Sequence, residues 1–134
     1  GQIYFLVNDK SGTVVGLSAA DQRSIVGSTH RGLDEQWRLE RQRSSGGAWL
    51  LRCLGSGKFL DFEGDPKAGA RLIGSRVPRN WKLERVDEDT CAYHLYVPKT
   101  NLNAELAHGD PLPSAPIRLE ENSLDACQVW RFDP

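Results

Sequence analysis

The 134-residue sequence predicts an all-β protein, a β-trefoil of about twelve strands in three pseudo-symmetric repeats. Three observations carry this. A Trp followed by an alternating apolar–basic close recurs at positions 37, 81 and 130, at spacings of 44 and 49 residues. Each recurrence is preceded by the same succession of short apolar runs broken by turn residues. No stretch keeps a 3.6-residue period for three turns, so helices are not expected.

The closing strands are Trp37-Arg38-Leu39-Glu40, Trp81-Lys82-Leu83-Glu84 and, more loosely, Trp130-Arg131-Phe132. In each, Trp and Leu or Phe alternate with a basic residue, the pattern of a half-buried strand. The opening strands are Ile3–Val7, Ala48–Cys53 and Ala92–Val97. The run from Lys10 to Leu17 matches the run from Gly55 to Phe62, and in each the Ser-Gly pair, Ser11-Gly12 and Ser56-Gly57, makes a turn between two strands. The third copy, Lys99 to Leu106, keeps the position without the Gly. Ile25-Val26-Gly27, Leu72-Ile73-Gly74 and Ile117-Arg118-Leu119 mark the strand before each Trp. Arg43 to Gly47 reads as a hairpin turn, and Asp110 to Pro116 as a Pro-rich loop with an extended path. One domain over 1–134 is expected, with repeats at approximately 1–44, 45–88 and 89–134. None of the units can bury its apolar face alone; three around an axis close a barrel and remove its edges.

Composition narrows the function classes. The formal charge is −1, from 17 basic and 18 acidic side chains that are interspersed. Nucleic acid and anionic membrane are therefore poor partners, and no apolar run is long enough for a membrane helix. The three cysteines, Cys53, Cys91 and Cys127, form no C-x-x-C pair and read as buried free thiols. The three histidines are distant from them in sequence, so no metal or other cofactor is expected. No H-E-x-x-H, G-x-S-x-G or P-loop pattern occurs, and an enzyme is not expected. No basic-then-apolar leader opens the chain, from which a cytoplasmic or leaderless secreted location is expected; with no Met present, the native start stays open.

The series Ser11-Gly12-Thr13, Val14-Val15-Gly16-Leu17-Ser18, Asp21, Ile25-Val26-Gly27, His30, Gly32 and Glu35-Gln36-Trp37 resembles a repeat of the ricin-B-like β-trefoil lectins, the mushroom type above all. That group includes mannose- and galactoside-binding lectins and the lectin-like light subunit of mushroom tyrosinase. The resemblance implies a sugar site at the end of the second strand and in the loop before Trp. A sugar there needs a carboxylate or amide to take paired hydroxyls, with donors beside it. In the first repeat the matching positions are Gly16, Ser18, Asp21, His30, Gly32 and Glu35. Gly16 stands where the family has Asp, and Glu35 where it has Asn, so Asp21, Asp34 or Glu35 would have to supply the acid. The second repeat keeps Asp61 as the acid, with Asn80 near the Trp, but has no His. The third offers Glu105, His108 and Asp110.

Each position also has a plain structural reading. Trp37, Trp81 and Trp130 read as core anchors, and Gln36 and Gln128 as backbone-bonding amides. His30 divides evenly between a loop contact and a ligand contact. Asp61 reads as a turn-satisfying carboxylate before it reads as a sugar clamp. Trp49 reads as core packing, and His108 with Asp110 as a solvated loop. Taken together, the expected function is non-catalytic binding of glycans or simple sugars, of mannose or galactose/GalNAc type. The alternatives are a protein-interaction subunit of an enzyme such as tyrosinase, with degenerate sugar sites, and a protease inhibitor acting through the 110–116 loop. The oligomeric state is left open.

Overall fold

The computed structural model describes residues 1–88 and 90–134, without the Ser45 side chain; the expected start of the third repeat, at residue 89, lies outside the described residues. Twelve strands follow one another. They are β1 (Ile3–Asn8), β2 (Val14–Leu17), β3 (Ile25–Ser28), β4 (Trp37–Gln42), β5 (Ala48–Cys53), β6 (Phe59–Phe62), β7 (Leu72–Ser75), β8 (Lys82–Arg85), β9 (Ala92–Tyr96), β10 (Leu102–Leu106), β11 (Ala115–Glu121) and β12 (Trp130–Asp133). The helical elements among the described residues are four single 3-10 turns, three of which stand just before β4, before β12 and after β10. The twelve-strand β-trefoil expected from the repeat is the fold observed.

Six strands close a barrel in the order β1-β4-β5-β8-β9-β12, with β12 returning to β1. The β5–β8 seam is the narrowest, a single bridge between Trp49 and Trp81 whose backbones exchange hydrogen bonds of 2.9 and 2.8 Å. The other six strands form three hairpins, β2–β3, β6–β7 and β10–β11, that cap one end. Neighbouring hairpins touch through β3–β11 and through single bridges Ser24–Ile73 and Arg71–Arg118. The strand pattern leaves the opposite end of the barrel uncapped.

The tight turns need backbone that few residues accept. Gly12 and Gly57 sit at φ +77° and +75° in the turns after β1 and β5, where a Cβ would be strained. The third repeat lacks the Gly and places Lys99 at φ +65° in its turn instead.

The core is built in threes. Leu6, Leu51 and Leu95 point inward from β1, β5 and β9, and Ile25, Leu72 and Ile117 from the hairpins; all are essentially sealed. Trp37, Trp81 and Trp130 are at most 1% exposed, confirming them as core anchors. A buried indole N–H needs an acceptor. Each finds the same one: Trp37 Nε1 donates to Val15 O (3.0 Å), Trp81 to Leu60 O (2.9 Å) and Trp130 to Ala104 O (3.0 Å). The Trp of the closing strand is thus pinned to the second strand of its own repeat three times over.

Cysteine burial departs from expectation in one case. Cys53 and Cys127 are buried free thiols, but Cys91 is exposed. It lies just before β9 begins, where the chain has not yet entered the barrel wall.

Replacing Trp130 with Phe removes the indole N–H, orphans the Ala104 carbonyl and leaves a gap. We expect a loss of roughly 2–4 kcal/mol, read as a lowered urea midpoint with an unchanged m-value.

Candidate functional site

The Trp bond has a local consequence. It holds the carbonyl of residue 15 against the indole of residue 37, and so fixes residue 16 opposite residue 35. The same frame sets Asp61 opposite Arg79 and Glu105 opposite Gln128. Three equivalent pairs of positions therefore stand at the second strand and the turn before Trp, and the three are filled differently.

In the first repeat the pair is Gly16 and Glu35. The 3-10 turn Leu33–Glu35 begins after Gly32, whose N–H donates to Glu35 Oε1 at 2.8 Å. This folds the Glu35 side chain back over β2, where it is 8% exposed. A Cβ at position 16 would lie 3.0 Å from Glu35 Oε2 and 3.1 Å from its Cγ. Ser28 Cβ would lie equally close, at 3.0 Å, so the Glu35 side chain and Ser28 together take up the space that a side chain on β2 would need. The Glu35 carboxylate, carried by the turn, thus lies directly against β2 at residue 16.

Above this pair opens a cleft of about 370 Å³, lined among others by Ser18, Ser28, His30, Asp34, Glu35 and Pro113. That size falls within the range of roughly 300–1,000 Å³ of small-molecule sites. Glu35 is at its floor with Oε1 committed to Gly32, while Oε2 takes no hydrogen bond among the described residues. Ser28 Oγ accepts the backbone N–H of His30 at 3.1 Å and holds the histidine loop at the wall; the imidazole is exposed. Ser18 Oγ accepts from Ala20 N (3.2 Å). Gly32 and the exposed Leu33 (59%) complete the rim. No Phe, Tyr or Trp lines the cleft among the described residues, so its apolar contact comes from Leu33, Val26 and Pro113.

The structure brings Ser18, His30, Gly32, Asp34 and Glu35 together at this cleft. Asp21 lies outside its lining. Its Oδ1 accepts the N–H groups of Arg23 and Ser24 (2.9 Å each), and its Oδ2 the Ser24 hydroxyl (2.6 Å). Those bonds, the Ser24 hydroxyl foremost, bring its carboxyl down from the usual 3.8 to about 2. Two residues that sequence reasoning did not place here are Pro113 and Ser114 of the third repeat, which close the far wall. Ser114 N donates to Gly27 O at 2.8 Å, and β11 runs beside β3. Their signal in sequence was the Pro-rich loop, which reads as belonging to its own repeat until the threefold closure is known.

The second pair is closed by its own side chains. Asp61 is buried (5%), and its Oδ1 accepts from Arg79 Nε and from the Phe62 N–H, both at 2.7 Å. The Arg79 guanidinium lies 4.3 Å from the centre of the Phe62 ring. The carboxylate and the ring beside it, the two features a sugar would use, are both covered by one arginine. Asn80 is half-buried next to Trp81. In the third pair Gln128 Nε2 donates to Glu105 Oε1 (2.8 Å) and to Glu121 O (2.9 Å), while Ser123 N donates to Gln128 Oε1 (3.0 Å). Gln128 is fully buried and bonds backbone on both sides of its amide, as expected, and Gln36 bonds backbone through its Nε2, which donates to Gly32 O (3.2 Å). His108 is exposed at φ +59°, and Asp110 caps its loop by accepting from Leu112 N (2.9 Å).

No group of three or more His, Cys, Asp or Glu suited to a metal ion occurs among the described residues. Burial pushes the Cys127 thiol up to about 12, which keeps it protonated.

The family model for ricin-type β-trefoil lectin domain-like proteins matches residues 33–120, more than half of the chain. The chain belongs to that family. Among solved structures, this ricin-type chain is similar to the Macrolepiota procera ricin B-like lectin in complex with lactose, at 36% identity and TM-score 0.92, over 99% of this chain and 95% of that one. It is also similar in fold to the Rhizoctonia solani agglutinin (22% identity, TM-score 0.88, 98% and 93% covered) and to the designed threefold-symmetric protein ThreeFoil (23%, 0.86, 98% and 98%). No curated protein matches the ricin-type chain.

Asp21 supplies a pH test of the loop bordering the cleft. A folded-state value below the ordinary one means its contribution is complete above about pH 4 and is lost as pH falls toward about 2. Asp21→Asn should therefore lower the urea midpoint at pH 7 yet leave it nearly unchanged at pH 2; equal losses at both would mean the turn depends on something other than charge.

Proposed function

We propose that this ricin-type chain is a non-catalytic lectin that binds one terminal galactose-type sugar per chain, in the cleft of the first repeat. The observation that supports this most is the Glu35 carboxylate lying over Gly16. It restores an acid at the family's sugar position from a different point in the chain, with Oε2 left to accept hydroxyls. Ser18, Ser28 and His30 stand around it as polar partners, and Leu33 and Pro113 offer the apolar surface that one face of a pyranose needs. The 36% identical Macrolepiota lectin is a lactose complex, which favours galactose over mannose as the first sugar to try.

The single-site reading rests on the other two pairs. Arg79 holds Asp61 as a cationic stand-in for a ligand, and Gln128 holds Glu105 as a neutral one. A sugar would have to displace a charge-assisted bond in the second repeat and a fully buried amide in the third. With one shallow site, affinity for a monosaccharide is weak, and strong attachment to a cell surface needs several chains side by side.

Calorimetry with lactose tests this directly, with an expected stoichiometry of one. Glu35→Gln removes the charge from the acceptor and should weaken binding about 10–100-fold. Asp61→Asn should leave lactose affinity within about twofold. Placing Asp at 16 and Asn at 35 together should recover binding that either change alone loses, because each single variant has two acids or none. Binding that survives Glu35→Gln and disappears with Asp61→Asn would move the site to the second repeat.

A further inference from the structure

The uncapped end of the barrel holds a second cavity, of about 250 Å³, lined by Tyr4, Leu39, Trp49, Leu83, Cys91, Tyr93 and Phe132. It is independent of the sugar cleft and shares no residue with it. The barrel interior at this level is lined largely by rings. The buried Phe132 ring sits 5.4 Å from Tyr4 and 4.9 Å from Tyr93, centre to centre, both tilted. Tyr4, Leu39, Leu83 and Tyr93 pack against the core from the open side and stay only partly buried. Trp49, expected as core packing, is half-buried at this rim instead.

Two features define what would fill the space. The walls are aromatic and aliphatic, and none of the lining side chains among the described residues is acidic. Guanidinium groups stand on two of the lining rings: Arg41 lies 5.0 Å from the Trp49 ring centre, and Arg85 5.8 Å from that of Tyr93, with its Nη2 3.4 Å from the Tyr93 hydroxyl. An apolar cavity left to water is unfavourable, and filling it with an apolar guest releases that water. Its volume is below the roughly 300–1,000 Å³ of drug-sized pockets, which suits a molecule of one or two rings. The cationic rim favours a negative end on that guest.

We propose that the barrel mouth is a binding site for a small aromatic carboxylate, its rings among Tyr4, Leu83, Tyr93 and Phe132 and its carboxylate toward Arg85. The exposed Cys91 marks the entrance. Its carbonyl accepts the Phe132 N–H at 2.8 Å, which fixes the rim to the ring at the base. A guest in the cavity covers this thiol.

The probe is 2-naphthoate, titrated by calorimetry into the intact chain, with 2-naphthalenemethanol as its uncharged counterpart. One saturable site in the millimolar range or tighter is expected, with the alcohol weaker. Leu83→Trp and, separately, Leu39→Trp fill the cavity from different strands, and each should weaken naphthoate by at least about tenfold. Arg85→Gln should weaken naphthoate and leave the alcohol unchanged. Saturating naphthoate should slow alkylation of Cys91 by iodoacetamide in the unsubstituted chain. Glu35→Gln and excess lactose should change none of this, which separates the site from the sugar cleft. Absence of saturable binding to the unsubstituted chain, binding indifferent to both Trp variants, or unprotected Cys91 would each overturn the proposal.

Discussion

The indole N–H of Trp37, Trp81 and Trp130, each bonded to a carbonyl of its own repeat's second strand, is the constraint on which the remaining geometry depends. A fully buried N–H without an acceptor costs about 1–3 kcal/mol, so the closing strand and the second strand of each repeat are held in one relative position. That bond joins a side chain to a backbone carbonyl, and so asks nothing of the side chain on the neighbouring residue. Residues 16, 61 and 105 follow directly after the pinned carbonyls. They are placed by the frame while remaining chemically free.

This freedom explains how three equal frames carry three different pairs. Gly16 with Glu35, Asp61 with Arg79 and Glu105 with Gln128 are each internally consistent, and none is consistent with another's partner. A side chain on residue 16 would meet the Glu35 carboxylate. Without Arg79, the buried Asp61 would keep, among the described residues, only the Phe62 N–H. Each pair answers the same electrostatic question, where to put one carboxylate beside a sealed tryptophan. The first places it in an open cleft, the second under a cation and the third under an amide.

The sequence made the frame legible and the pairs only partly so. Alternation around each Trp, together with its threefold recurrence, located the core anchors and the opening strands, because a buried face imposes a period of two whatever the tertiary context. Glu35 was legible as an acid near the family's sugar position. Its direction was not, because a single 3-10 turn has no periodicity from which to infer a face, and the Gly32 N–H that turns it inward is a backbone group. Arg79 gave no signal: an arginine before Trp81 reads as a solvated loop until Asp61 is seen 2.7 Å away. Cys91 looked like a buried thiol by residue type, and its position one residue short of β9 reversed that. Pro113 and Ser114 were visible as a loop, but their service to another repeat follows only from closure of the three hairpins.

That closure also bears on why the first repeat has the open cleft. Each hairpin's connecting loop borders the next repeat's pair, so the three frames receive different neighbours. The first receives Pro113 and Ser114, small and without charge, against β3. The second receives the loop of β2–β3, whose Arg23 accepts the Gly74 N–H at its backbone carbonyl (2.7 Å) and pairs through its guanidinium with Glu63 at 2.6 Å. The third receives the loop of β6–β7, bound through Gly69 N to Leu119 O at 2.7 Å. The first cleft stays open because neither its own turn nor the incoming Pro113 and Ser114 brings a donor to Glu35 Oε2 among the described residues. In the second repeat Arg23 pairs with Glu63 and Arg79 with Asp61, so cations already meet both acids there. The difference among the repeats thus lies as much in what each borrows from its neighbour as in the residues of its own four strands.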